Sequence, residues 1–139
     1  MSIFLNIIYV IIMNMISFFK SCKHAFCGIE HAFRLGRNIK IQLVTIFIAI
    51  ILGLYVGLKS IEWIIVLIAS GNVLTAELFN TAIERLCDEV AGGNQRVLIK
   101  SAKDISAGAV LVSALLLLVV WVVLIIIPIF KQIIYQYTF

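Results

Sequence analysis

Glu77, Asn80, Thr81, Glu84 and Asp88 recur at spacings of three, four and seven residues. At about 100° per residue on a helix, all five side chains fall on one stripe. They begin where an apolar run, Ile61 to Ala76, ends. A carboxylate at the end of a membrane helix is costly unless it is solvated, paired or bound to a cation. Glu77, one residue beyond the run, is therefore a candidate to hold a cation or a proton. Asp88 and Glu89, farther along, read equally well as a solvated helix end.

Lys100, Lys103 and Asp104 open the next apolar run, and Lys103 is placed where it could meet the acidic stripe. Lys100 is ordinary basic flanking. The small residues Ala102, Ser106, Ala107, Gly108 and Ala109 allow a neighbouring helix or a bulky ligand to approach closely. Carboxylates for a divalent cation, a lysine for phosphate charge and a further carboxylate for a proton form a set suited to phosphoryl transfer. Such catalysis is mainly positioning and charge neutralisation. No G-x-x-x-x-G-K-[ST] loop, kinase glycine loop or H-R-D occurs, so a nucleotide site would have to be built differently. Taken alone, these residues define an intramembrane metal or proton site. The competing reading is a non-catalytic oligomeric membrane protein whose carboxylate stripe pairs with Lys103 across helices.

The elements that must carry these side chains follow from composition. The chain has 139 residues, 63% hydrophobic and 13% charged, with a single proline, and its mean hydropathy is +1.17. Soluble domains are roughly 45–50% apolar and about 25% charged, so a soluble globular protein is excluded, as are a disordered tail and a collagen-like chain. Ile39 to Leu58, Ile61 to Ala76 and Ile105 to Ile127 are each near or above the ~20 residues that a helix needs to cross hydrocarbon. The expected fold is an all-α integral membrane protein with three transmembrane helices. Gly53 and Gly57 have the G-x-x-x-G spacing that permits close helix approach. The only clear breaker is Ala91-Gly92-Gly93-Asn94-Gln95, so the second helix should run past the bilayer to about Val90.

A net charge of +4 reports orientation here rather than affinity for nucleic acid. Only Lys59 and Ser60 separate the first two spans, which makes them an antiparallel hairpin. Nine of the 11 Lys and Arg residues flank the ends opposite that turn, placing the 20–40 segment and the 85–103 loop in the cytoplasm. The expected protein is multi-pass with its site on the cytoplasmic side of the membrane. Cys22, Cys27 and Cys87 would then be reduced thiols.

Ser17 to Asn38 carries Phe18, Phe19, Phe26, Ile29 and Phe33 at a spacing near that of an amphipathic surface helix. Residues 1–17 form an apolar extension ahead of a domain over 18–139. Ile3 to Phe19 holds no charge and reads as a fourth span, a signal-like segment or an interfacial helix broken by Asn6 and Asn14, with membrane embedding preferred. His24, Cys27 and His31 share one helix face, but three ligands fall short of a structural zinc site, and an interfacial face is the simpler reading. Trp63, Trp121, Tyr55, Tyr135 and Tyr137 read as interface anchors or packing residues.

Ala76-Glu77-Leu78-Phe79-Asn80-Thr81-Ala82-Ile83-Glu84 and Ala102-Lys103-Asp104-Ile105-Ser106-Ala107-Gly108-Ala109-Val110 closely resemble the prokaryotic diacylglycerol kinase and undecaprenol kinase family. The likeness runs from about Phe18 to Phe130. It includes Lys20-Ser21-Cys22-Lys23-His24-Ala25-Phe26, Gly28-Ile29 and Ile61-Glu62-Trp63, and its wording is nearer the undecaprenol kinase branch. The resemblance implies a small homotrimer, with three spans per subunit, an amphipathic surface helix and active sites shared between subunits. It also implies an ATP-dependent phosphotransferase that uses Mg2+ with ATP on a membrane lipid alcohol, undecaprenol before diacylglycerol. Carried across position by position, Glu77 would be the general base on the lipid hydroxyl and Asn80 a polar site residue. Glu84 would be a magnesium ligand at the nucleotide, which Lys103 and Asp104 would contact. The family's usual Glu-Arg-Asn reads Gly36-Arg37-Asn38 here, and Gln42 stands where the branch commonly has histidine.

Overall fold

The computed structural model describes residues 2–91 and 97–138, and among these the secondary structure is entirely helical. The helices are α1 (Ser2–Leu35), α2 (Arg37–Val56), α3 (Ser60–Ala91), α4 (Val97–Trp121) and α5 (Ile127–Thr138), with α4 passing into α5 through one π-helical turn, Val122–Ile126. Residues this apolar have no water to satisfy their backbone groups inside a bilayer, so each crossing segment must bond within itself, as a helix does. The glycine-rich break at 92–95, Arg96 and the side chain of Tyr137 lie outside the described residues.

The chain divides into two units, Met1–Leu35 and Gly36–Phe139. In the first, α1 is one uninterrupted helix. Asn6 and Asn14 do not break it, which removes the broken-helix reading of residues 3–19. Glu30 accepts a hydrogen bond from Arg34 at 2.6 Å on an exposed face, an i,i+4 pair that supports the helix locally. Phe18, Phe19 and Phe26 are exposed. His24, Cys27 and His31 do not form a metal site, since no cluster of three or more His, Cys, Asp or Glu side chains with metal-binding geometry exists among the described residues. The helix stops at Gly36, whose backbone is extended at φ −88° and ψ 112°. Arg37 and Asn38, assigned on sequence to the amphipathic segment, are instead the first turn of α2.

In the second unit, three helices are long and apolar enough to cross a membrane: Arg37–Val56, Ser60–Ala91 and Val97–Gln136. α2 ends two residues before the expected Leu58. Gly57 takes the left-handed conformation, φ 76°, and its N–H donates to the Gly53 carbonyl at 3.0 Å, a helix stop that favours a residue without Cβ. Lys59 then starts α3 as its N-cap. The Glu62 carboxylate accepts the Lys59 backbone N–H at 2.7 Å, and the Lys59 carbonyl accepts the first helical bond from Trp63 at 3.0 Å. This is the carboxylate half of a capping box.

The two glycines of the G-x-x-x-G spacing thus have different jobs. Gly57 makes the turn, with nothing within 4 Å of a Cβ there, whereas a Cβ at Gly53 would meet Leu58 Cδ1 and Trp63 Cη2, each at 2.9 Å. Gly53 lets the Trp63 ring lie against α2, so Trp63 is a packing residue.

The 32 residues of α3 span about 48 Å, more than the ~30 Å of hydrocarbon, in agreement with the expected extension past the bilayer. The α4–α5 rod over Val97–Gln136, 40 residues, reaches about 60 Å and is longer than the expected Ile105–Ile127 span. Its π turn precedes Pro128. Proline lacks an N–H and its ring crowds the carbonyl four residues back, and a widened turn there relieves both. That turn buries Ile125 completely and packs against α2.

Candidate active site

α3 and α4 make the most extensive helix pairing in the molecule. The buried stripe of α3 is Val66, Ser70, Val73, Glu77, Asn80 and Cys87, spaced by three and four like any packed helix face. Polar residues interrupt the apolar seam at regular depth. Asn72 Nδ2 donates to Ser113 Oγ at 3.3 Å, Ser106 Oγ to Asn80 Oδ1 at 2.7 Å, and Lys103 Nζ to Asp88 Oδ1 at 2.6 Å. Residues 72, 80 and 88 are eight apart on α3, so three hydrogen bonds lock the two antiparallel helices in register along their length.

The sequence-derived set is gathered around the middle and last of these rungs. Glu77 is 2% exposed, and its Oε2 is buried with no hydrogen-bond partner. Asn38, in the first turn of α2, brings its side chain to the Glu77 carboxylate, and Glu84 is within electrostatic reach of it. Asn80, 4% exposed, donates from Nδ2 to Glu84 Oε1 at 3.2 Å. Glu84 is the first member of the stripe to emerge from cover. One buried carboxylate with a spare oxygen and one exposed carboxylate therefore share a helix face, the first toward the membrane and the second toward the helix end.

Lys103 meets the acidic stripe as expected, but through Asp88. Asp88 had read equally well as a bystander. Within the chain, Glu77 and Glu84 form no ion pair with Lys103. Asp104 is not brought to the others within one chain. It is exposed and lines a shallow depression with Val97, Lys100, Ser101 and Ile105, about 100° round the helix from Lys103.

Sequence reasoning missed Asn38 and the role of Ser106. Asn38 lies 39 positions from Glu77, and no local pattern connects them. Ser106 read only as a small residue in a packing stretch; its i,i+3 relation to Lys103 was the available signal.

A profile of the prokaryotic diacylglycerol kinase family matches residues 23–125, most of the chain and all of the residues just described. The chain belongs to that family. Among curated proteins, this family member is 39% identical over 99 residues to the undecaprenol kinase of Bacillus subtilis (strain 168), covering 71% of this chain and 80% of that protein. It is 34% identical over 100 residues to the diacylglycerol kinase of a Synechocystis strain, covering 72% of this chain and 57% of that longer protein. Family membership makes this a membrane protein of the lipid-kinase class, in keeping with its three apolar helices.

Whether the site suits a divalent cation can be judged from its donors. Magnesium is usually held by one or two protein carboxylates, the other positions being filled by water and substrate phosphates. Glu84, with its exposed carboxylate, fits that demand without a dedicated cage.

Proposed function

We propose that this chain is an ATP-dependent lipid-alcohol kinase that transfers the γ-phosphoryl group to the hydroxyl of a membrane lipid, with undecaprenol favoured and diacylglycerol next. The observation that carries the reading is the buried Glu77 carboxylate with an unpartnered oxygen. It lies about 25 Å along α3 from Ser60, close to where the hydrocarbon ends. A lipid hydroxyl reaches that depth while its tail stays in the bilayer. The undecaprenol preference rests on the higher identity and fuller coverage of the undecaprenol kinase relative.

Glu77 accepts the hydroxyl proton as the lipid oxygen attacks the γ-phosphorus. The bond from that phosphorus to the β–γ bridging oxygen breaks, leaving ADP and a lipid phosphate. Asn80 orients the polar side chains at the reacting end, and Glu84 would hold magnesium, whose charge would offset that of the phosphates. Lys103 contacts the nucleotide phosphates after exchanging Asp88 for them. The assembly is a homotrimer with shared sites, as the family resemblance implies, and the outward setting of Asp104 leaves that carboxylate open to a nucleotide bound by its own or a neighbouring copy. Basic residues at the end of α1 and the start of α2 support a cytoplasmic site in a bacterial inner membrane.

The test is transfer of radiolabel from ATP to undecaprenol and diacylglycerol in parallel mixed micelles, with and without magnesium. Magnesium-dependent label in either lipid is the expected result; label in neither, from folded protein, refutes the reading.

A further inference from the structure

We propose that Ser106 is a positioning residue for Glu84, acting through the side-chain amide of Asn80. This rests on the lipid-kinase reading, in which Glu84 holds the divalent cation. The geometry is a three-member chain across the α3–α4 seam: Ser106 Oγ lies 2.7 Å from Asn80 Oδ1, and Asn80 Nδ2 lies 3.2 Å from Glu84 Oε1. Ser106 and Asn80 are 6% and 4% exposed, so water competes poorly for the bond between them.

The direction of the chain follows from the donor inventory. An ionised carboxylate only accepts, so the face of the Asn80 amide toward Glu84 must be the NH2 group. Its carbonyl oxygen then faces Ser106, and the hydroxyl must donate. Ser106 itself is held by its own turn, because Oγ also lies 2.9 Å from the Lys103 carbonyl three residues back. The single hydroxyl proton is shared between these two acceptors, which ties the Asn80 amide to the turn that carries Lys103. Without the hydroxyl, the Asn80 oxygen is buried and unpaired, so the amide is no longer held at both ends and the hydrogen bond it gives Glu84 rests on a looser support.

The test uses the purified full chain in micelles. Mn2+ serves as the probe, with binding read by electron paramagnetic resonance and thermal midpoint and phosphoryl transfer read alongside. Ser106→Ala is expected to weaken Mn2+ binding about tenfold, the usual size of an effect exerted through an outer partner, and to raise the Mg2+ needed for half-maximal transfer in parallel. Ser106→Thr, which keeps the hydroxyl, restores both. In an Asn80→Ala background, Ser106→Ala adds less than about twofold, because its route is already cut. Wild-type protein that binds Mn2+ and transfers phosphate, with Ser106→Ala unchanged in Mn2+ affinity or altered only in thermal midpoint, overturns this inference alone. Wild-type protein that neither binds Mn2+ nor transfers phosphate overturns the kinase reading and this inference with it.

Discussion

Lys103 Nζ lies 2.6 Å from Asp88 Oδ1, so the first turns of α4 are tied to the last turns of α3 by one exposed ion pair. The pair closes the end of the seam where the sequence runs out of apolar residues. In the proposed reaction it also parks the lysine on a carboxylate that nucleotide phosphates would replace.

Asp88→Asn removes that competitor and keeps the shape. The KM for ATP is expected to stay level or fall a few-fold, while Lys103→Ala raises it by about tenfold or more. Steady-state kinetics over ATP concentration check both, and the Asp88 effect should fade with added salt, since exposed pairs are screened. A large rise in KM for Asp88→Asn would place Asp88 at the nucleotide.

Glu77→Gln preserves volume and polarity but cannot accept a proton. A fall of about 10²- to 10⁴-fold in kcat is expected, with thermal midpoint and oligomer size unchanged. Near-native turnover would refute Glu77 as the base.

At Gly53, replacement by alanine drives a methyl to 2.9 Å from both Leu58 Cδ1 and Trp63 Cη2. Overpacking of this kind costs about 1–3 kcal/mol, to be read as earlier unfolding in a thermal or detergent titration. Trp63→Phe in the same chain makes room and should recover part of the loss; failure to do so would show that the ring is not what Gly53 accommodates.

The Asn72–Ser113 bond, at 3.3 Å, crosses the seam well inside the apolar part of both helices. Its removal by Ser113→Ala should cost little, about 0.6 kcal/mol, the average for hydrogen bonds between membrane helices. Unfolding titrations of Ser113→Ala, Asn72→Ala and the double variant would measure the coupling directly.

The sequence by itself determined which stretches are long and apolar enough to cross a bilayer. Run length and composition are one-dimensional quantities, and hydrocarbon responds to them directly. The stripe from Glu77 to Asp88 was legible for a similar reason: an uninterrupted helix turns a spacing of three, four and seven into a face. Tertiary structure decided which neighbour each face meets. It divided Gly53 from Gly57, one under the Trp63 ring and the other at the turn. It placed Arg37 and Asn38 in α2, bringing Asn38 to Glu77. It made Ser106 a partner of Asn80 and turned Asp104 outward while Lys103 turned in. These pairings join residues far apart in the chain, and their register is set by how the helices pack across the seam, a relation that no local spacing encodes.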